Sequence, residues 1–314
     1  MRLEPLPANE FDAWRTGVRA RFAERRVAAG GTSHAEAVAA ADGILNRLLA
    51  HGLGTPDHHV YGIRDGDPAD RPGSVWLQVS DDRDGADAFV YDVVLGAADP
   101  AQAMRAVEQT AVGLGARLIR VHVFASDLDV CRMVDGRGYV PAVTQMRLRL
   151  HGDERFDAGR TVVLRPMRDD EFDAFRQGQE DSYAADLTRS GAVPASEARG
   201  KAVEELAELL PDGQASPGHL FWTAVDGDHP VGLLWLEIED DSDGTPAFVL
   251  DLQVSEPLRR QGYGRAIMRA GEAACRDRGA TTIGLSVFGF NHAARALYDD
   301  LGYRVTEQVL RKTL

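Results

Sequence analysis

The amino-acid sequence predicts an α/β fold written twice along the chain, each copy a mixed, mostly antiparallel sheet flanked by helices. Segments of the first half reappear in the same order in the second half, which indicates an internal duplication. Apolar residues follow a strand pattern over 220–225 and 233–238, as expected of antiparallel neighbours, and helical patterns separate the later strands.

The repeat sets the domain boundaries. Its matching segments are 3–6 with 164–167, 10–15 with 171–176, 76–79 with 235–238, and 88–93 with 247–252. Such order over a whole half-chain predicts a first copy over 1–150 and a second over 160–314. The polar, pattern-free stretch 151–159 is expected to be the linker.

Composition limits the classes of function. A length of 314 residues suits two domains of ordinary size, and the net charge of −14 argues against a nucleic-acid or anionic-membrane surface. Only Cys131 and Cys275 are present, so no disulfide framework is predicted and a cytoplasmic location is expected. No signal core or membrane span is evident, and the nine histidines show no metal-ligand spacing, so we expect no metal.

The second copy is organised around the turn Arg259-Arg260-Gln261-Gly262-Tyr263-Gly264. An apolar strand pattern over 247–254 leads into it, and an amphipathic helix pattern leads out, with Gly279 expected to cap the helix. A glycine turn between a strand and a helix can present free backbone N–H groups to an anion, and nearby arginines add positive charge. The alternative from these residues alone is an ordinary tight turn rich in arginine.

The following segments carry a family resemblance. A second strand pattern over 281–288 is followed by Asn291-His292-Ala293-Ala294-Arg295-Ala296-Leu297-Tyr298 and then by Gly302-Tyr303. With the turn, this order resembles the GNAT N-acetyltransferase superfamily, whose motifs are Arg/Gln-x-x-Gly-x-Gly/Ala and Asn-x-x-Ala-x-x-Leu-Tyr-x-x-x-Gly-Phe/Tyr. The resemblance implies that the turn binds the pyrophosphate of acetyl-CoA, used as a cosubstrate.

The resemblance also implies which residues hold the coenzyme. Backbone groups at the end of the strand over 247–254 are expected to hold the pantetheine arm, and Asn291 is expected to cap a helix and contact the coenzyme. The implied cofactor-binding residues are Leu252, Gln253, Val254, Arg259, Arg260, Gln261, Gly262, Tyr263, Gly264, Arg265, Asn291 and Ala294.

Acyl transfer to an amine needs a proton donor for the departing sulfur and a base for the amine. The motif places Tyr298 as the donor; packing is the alternative role, but Val134 stands there in the first copy. Glu237 is slightly preferred as the base because its counterpart in the first copy, Gln78, is neutral. Asp251 is second, since its counterpart Asp92 allows a structural role equally well.

The first copy is predicted to have lost coenzyme binding. Between the repeated tryptophans the offset is 235 − 76 = 159, and between the repeated tyrosines it is 303 − 139 = 164, so five residues are missing from copy one. The gap falls on the phosphate turn, where Asp99 would repel a pyrophosphate. Copy one is therefore expected to act as a scaffold or as one wall of the substrate site.

The resulting hypothesis is an acetyl-CoA-dependent N-acetyltransferase that acts on a primary amine of a small molecule or peptide by direct acyl transfer. Two alternatives stay open: a non-catalytic acyl-CoA sensor or scaffold, and an acyl-CoA enzyme with another reaction such as O-acylation or decarboxylation. We expect no nucleic-acid or membrane partner, and the duplication is compatible with a monomer that forms an intramolecular pseudo-dimer.

Overall fold

The computed structural model describes residues 1–29, 33–64, 73–82, 85–150, 159–190, 195–238 and 246–314. The predicted linker 151–159 lies outside these ranges except for its last residue. Within the described ranges no helix is both long and apolar enough to cross a membrane.

The first copy begins with a short strand and two helices, followed by three strands and then alternating helices and strands. Its elements are β1 (Arg2–Pro5), α1 (Phe11–Ala29), α2 (His34–Leu48), β2 (His58–Arg64), β3 (Gly73–Asp82), β4 (Gly85–Val94), α3 (Pro100–Gly113), β5 (Ala116–Phe124), α4 (Leu128–Val134) and β6 (Val140–Arg149). Local signals explain several starts: Ser33 and Glu36 form a capping box at α2, and Asp99 caps α3 before Pro100.

The second copy repeats this order. Its elements are β7 (Val163–Pro166), α5 (Asp169–Ser190), α6 (Ala195–Leu209), β8 (His219–Asp226), β9 (His229–Ile238), β10 (Pro246–Val254), α7 (Tyr263–Arg276), β11 (Thr282–Phe288), α8 (His292–Leu301) and β12 (Arg304–Thr313). The predicted mixed α/β class is confirmed, and Gly279, expected as the cap after α7, has a φ of +84°.

Contacts divide the chain into two compact units. The first comprises Met1–Gln145, Val287–His292 and Val305–Leu314, and the second comprises Met146–Ser286 and Ala293–Arg304. The last strand of the chain therefore belongs to the first unit, where β12 pairs antiparallel with β5. The predicted boundary between sequence copies, at 150 and 160, stays a prediction.

Each unit has a mostly antiparallel sheet. The strand order is β1-β2-β3-β4-β5-β12 and then residues 140–145 of β6 in the first unit; it is residues 146–149 of β6 and then β11-β10-β9-β8-β7 in the second. Parallel pairing joins β4 to β5 and β10 to β11.

The duplication is visible in side-chain contacts as well as in element order. The indole N–H of Trp76 donates to Nδ1 of His58 at 3.1 Å, and the indole N–H of Trp235 donates to Nδ1 of His219 at 3.2 Å. Both tryptophans are buried, so each indole N–H needs a partner that the neighbouring strand provides. His219 therefore has a structural role that its counterpart in copy one shares.

In the second unit, the parallel strands β10 and β11 pair along only part of their length. Registered pairs between β10 and β11 run from Pro246 with Thr282 to Val249 with Leu285, and the described residues show none beyond. A bulge at Leu250 accompanies this point, because Val249 faces Leu236 while Asp251 already faces Trp235 on β9. Residues 250–254 thus have one strand edge without a β11 partner.

Glycines allow α7 to lie close to the sheet. A Cβ on Gly271 of α7 would meet Cδ2 of Leu234 on β9 at 2.6 Å, and a Cβ on Gly232 of β9 would meet Cδ1 of Ile267 on α7 at 2.8 Å. Both positions exclude a side chain, so the helix that follows the turn is held firmly against β9 and β10.

Candidate active site

The predicted phosphate turn connects β10 to α7. Gly262 is the residue before the helix and has a φ of +88°, a left-handed conformation that favours glycine. A Cβ there would meet nothing within 4 Å, so the space in front of the helix is open. Among the described residues no side chain caps α7, which leaves its first N–H groups available to an anion.

The two motif glycines have different local roles. Gly262 faces open space, whereas a Cβ on Gly264 would lie 3.2 Å from Cδ2 of Leu297 on α8. Gly264 is thus explained in this structure by close packing of α7 against α8, a reason that the turn sequence alone does not give. A role for Gly264 in approaching a phosphate stays a prediction.

Arginines surround the turn. Arg259 is exposed and its Nε donates to the carbonyl oxygen of Val254 at 3.3 Å. Arg260 is exposed and has a φ of +64°, and Arg265 pairs with Asp300 at 3.1 Å. Exposed guanidinium groups at the start of a helix are suited to a phosphate.

Contacts of Arg160, Tyr263 and Asp226 that support the turn were not predicted from the sequence. Arg160 lies over the ring of Tyr263, with its guanidinium carbon 4.3 Å from the ring centroid, and its Nε donates to the carbonyl oxygen of Gln261 at 3.2 Å. The Tyr263 hydroxyl donates to Asp226 at 2.8 Å, and Asp226 also pairs with Arg160. These contacts hold the backbone and the Tyr263 ring of the turn in place.

The backbone of Leu252, Gln253 and Val254 lies on the part of β10 that has separated from β11. Its neighbour on the other side is β9, where Leu234, Leu233 and Gly232 face these residues in register. Every second backbone group on the free edge of β10 points away from β9 and needs another partner. An extended amide-containing chain such as pantetheine would supply one.

Tyr298 lies on α8 and is buried. Burial raises the pKa of its phenol to about 12, and the charge of Asp251 adds to the shift. The phenol is therefore protonated throughout the neutral range. The charge of Asp251 thus acts on the Tyr298 phenol, although the two residues come from distant parts of the sequence.

Asp251 follows the bulge on β10. One of its carboxylate oxygens, Oδ2, accepts hydrogen bonds from the side-chain amides of Gln179 on α5 and of Gln253, the latter at 2.7 Å. Desolvation raises the pKa of Asp251 above its usual value, against the lowering effect of these donors. A carboxylate with a raised pKa is a better proton acceptor near neutral pH.

The remaining predicted residues lie at different places. Glu237 on β9 faces Phe248 of β10 and His219 of β8 in register. Ala294 lies in the first turn of α8, and Asn291 directly precedes that helix, in the position expected of a cap. Asn291 belongs to the first unit by its contacts, whereas Tyr298, Asp251 and the turn belong to the second.

The corresponding places in the first unit are already occupied by its own side chains. Asp99 stands at the start of α3, and its carboxylate accepts from the backbone N–H of Gln102 at 2.9 Å. The connection 95–99 is three residues shorter than 255–262, so only part of the five-residue difference that the sequence assigns to this turn lies in the connection itself. The N-terminus of α3 is therefore capped by an internal anion, where the N-terminus of α7 is open.

In copy one, an arginine connects β4 and a residue after β5 beyond the last registered pair of these two parallel strands. Arg25 on α1 pairs with Asp92 on β4 at 2.8 Å and also with Asp127, which follows β5, and Arg21 pairs with Asp92 at 2.5 Å. A cavity of about 510 Å³ beside them is lined by residues 93–96 and by the charged side chains of Arg21, Arg25, Asp127 and Asp129. An apolar acyl arm in this cavity would have to desolvate these charges, which is unfavourable.

Comparisons with known proteins find acetyltransferase relatives of the second half of the chain. A model of the acetyltransferase (GNAT) family matches residues 184–303. Over 155 residues the chain is 30% identical to the uncharacterised N-acetyltransferase YycN of Bacillus subtilis (strain 168), covering 49% of this chain and 99% of that protein. YdgE of the same organism, also described as an uncharacterised N-acetyltransferase, is 30% identical over 153 residues, covering 48% of this chain and 98% of its own length.

A solved structure extends the likeness to the whole length. The GCN5-related N-acetyltransferase from Sphaerobacter thermophilus matches with a TM-score of 0.50 and 17% identity, covering 99% of this chain and 95% of that one. At this level of identity the match shows the fold, and it covers both copies.

Proposed function

The chain belongs to the acetyltransferase (GNAT) family, and from that premise we propose that its second unit transfers the acetyl group of acetyl-CoA to a primary amine of a small molecule or peptide. The coenzyme supplies an acyl group activated as a thioester. The residues proposed to hold it are the backbone of 252–254 and the turn 259–264, with Arg265 beside the turn.

The open turn supports a pyrophosphate at this place. Gly262 leaves room that any side chain would fill, and α7 begins there without a side-chain cap among the described residues. The helix dipole and the exposed Arg259 and Arg260 favour an anion. Hydrogen bonds from Arg160 to Gln261 and Tyr263 hold the turn in place, so little conformational entropy would be lost on binding.

The neighbouring Asp251 and Tyr298 carry the catalytic part of the proposal. Asp251 accepts the proton that the amine loses as its nitrogen bonds to the acetyl carbon, and Tyr298 donates a proton to the sulfur as the carbon–sulfur bond breaks. Burial keeps the Tyr298 phenol protonated, and desolvation makes Asp251 more basic. Glu237, which the sequence slightly favours over Asp251, remains the other candidate for the base.

The test is an amine screen with the full chain. Acetyl-CoA is incubated with a panel of primary amines, alcohols and small peptides, and thiol release is followed together with the mass shift of each acceptor. We expect an increase of one acetyl group on an amine, lost in Asp251→Asn and strongly reduced in Tyr298→Phe. Tight coenzyme binding without transfer to any acceptor would favour a sensor, and transfer only to alcohols would favour O-acylation.

A further inference from the structure

The two copies hold an equivalent carboxylate in different ways. Asp92 and Asp251 correspond, because 251 − 92 = 159 is the offset that also joins Trp76 to Trp235. Each follows a bulge on the strand that separates from its parallel neighbour. Two guanidinium groups bind Asp92, whose side chain is 1% exposed, whereas two neutral amides bind Asp251.

The chemistry of the partners decides what each carboxylate can do. A guanidinium cation neutralises a carboxylate and stabilises its anion, which makes the oxygen a poor proton acceptor. A side-chain amide orients the carboxylate with a weaker effect on its basicity. Copy two has Ser182 and Asp186 at the positions of Arg21 and Arg25, by the offset of 161 that joins Phe11 to Phe172.

We propose that Gln179 is a positioning residue that holds the carboxylate of Asp251 in the orientation in which it accepts the proton of the acceptor amine. Gln253 is two residues away on the same strand, so its hydrogen bond does not fix Asp251 relative to any other element. Gln179 comes from α5 and is the contact that fixes Asp251 relative to a different element. The inference rests on the proposed function, in which Asp251 is the base.

The surroundings of Asp251 leave this role to Gln179. Among the described residues, α8 brings the phenol of Tyr298 near Asp251, α5 brings Gln179, and β9 brings Trp235 opposite it with Glu237 next on the same face. In copy one the position of Gln179 is taken by Val18, which is buried, since 179 − 18 = 161. At this position, a glutamine is thus present only in the copy whose turn is open.

The test compares two glutamines on α5. Gln179→Val introduces the side chain found in copy one, and Gln177→Val makes the same change at an exposed position of the same helix. Coenzyme affinity, melting temperature, and the pH profile of kcat/KM are measured for both. For Gln179→Val we expect unchanged affinity and a loss of kcat/KM of up to about 10²-fold, because a misplaced catalytic group costs on that order.

The pH profile separates positioning from packing. Loss of a donor to the ionised carboxylate raises the pKa of Asp251, so the acid limb of kcat/KM should move to higher pH in Gln179→Val and stay in place in Gln177→Val. An identical profile and rate in the two variants would overturn the inference while leaving Asp251 as the base if Asp251→Asn is inactive. Full activity in Asp251→Asn would overturn the base assignment and the inference together.

Discussion

Asp92 and Asp251 occupy equivalent positions after equivalent strand bulges, yet arginines bind the first and glutamines bind the second. Asp92 is part of an internal ion-pair network, whereas Asp251 accepts from neutral amides and has a pKa that desolvation raises above its usual value. The duplication therefore provides a comparison within one chain, in which the fold is constant and the chemistry of the site differs.

The ion pairs of Arg25 should be important for the stability of the first unit. Arg25→Leu would leave Asp127 without its cation and Asp92 with Arg21 alone, and removing one partner of a buried pair costs at most about 3–5 kcal/mol of unfolding free energy. Denaturant unfolding of the full chain measures the loss. Arg19→Leu on the same helix is the control, because its pair with Asp42 is exposed and its loss should leave the unfolding midpoint almost unchanged. Equal midpoints in the two variants would show that the network contributes little.

Coenzyme binding should depend on the open space at Gly262. Gly262→Val places a side chain in that space and strains a residue with a φ of +88°, so affinity for coenzyme A should fall by at least tenfold. Gly279→Val is the matched control: it has a φ of +84°, faces open space and follows the other end of α7. Calorimetry should show the loss in the first variant and normal binding in the second. Similar losses in both would assign the effect to backbone strain.

Turnover should depend on the hydroxyl of Tyr298. Tyr298→Phe keeps the buried ring and removes the donor, so coenzyme affinity should hold while kcat falls by about 10²–10⁴-fold. The phenol has a pKa of about 12, so in the unaltered protein it stays protonated up to about pH 11. At lower pH its ionisation should therefore not reduce kcat. Tyr303→Phe is the control for the loss of a buried hydroxyl, because Tyr303 is also buried and its ring centroid lies 5.8 Å from that of Tyr298. Equal rates for Tyr298→Phe and the unaltered protein would assign Tyr298 to packing.

The sequence predicts the elements of the second copy well because their signals are local. The strand over 247–254, the glycine turn and the amphipathic helix are each determined by neighbouring residues, and the structure has β10 and α7 at these places. The duplication adds information, since differences at matched positions identify which copy lacks the turn. The α/β class is predicted from these same local patterns, and the observed strands and helices confirm it.

Contacts between distant residues could not be predicted in the same way. Arg160 reaches the turn from a residue before β7, and Gln179 reaches Asp251 from α5, in both cases across a large part of the copy. No spacing rule connects such pairs. Matching Gln179 to Val18 was an available signal, because a polar residue that replaces a buried apolar one needs a partner. That the last strand, β12, belongs to the first unit likewise depends on its pairing with β5, which is distant in the sequence.

The number of coenzyme sites should be one per chain. In the first unit Asp99 caps the N-terminus of α3 with a negative charge, Pro100 offers no backbone donor, and Arg25 joins Asp92 to Asp127 across the separated strands. In the second unit the N-terminus of α7 is open. Calorimetric titration of the full chain with coenzyme A should therefore reach saturation at one equivalent.

A double variant makes this prediction strict. Arg259→Ala with Gly262→Val removes charge and space from the same turn, so it should abolish all detectable binding if the second unit holds the coenzyme alone. Gly279→Val combined with Arg278→Ala places the same types of change after the far end of α7, and it should still bind one equivalent. Two equivalent sites in the unaltered chain, or residual binding in the first double variant, would show that copy one still binds the coenzyme despite its capped helix and its bridging arginine.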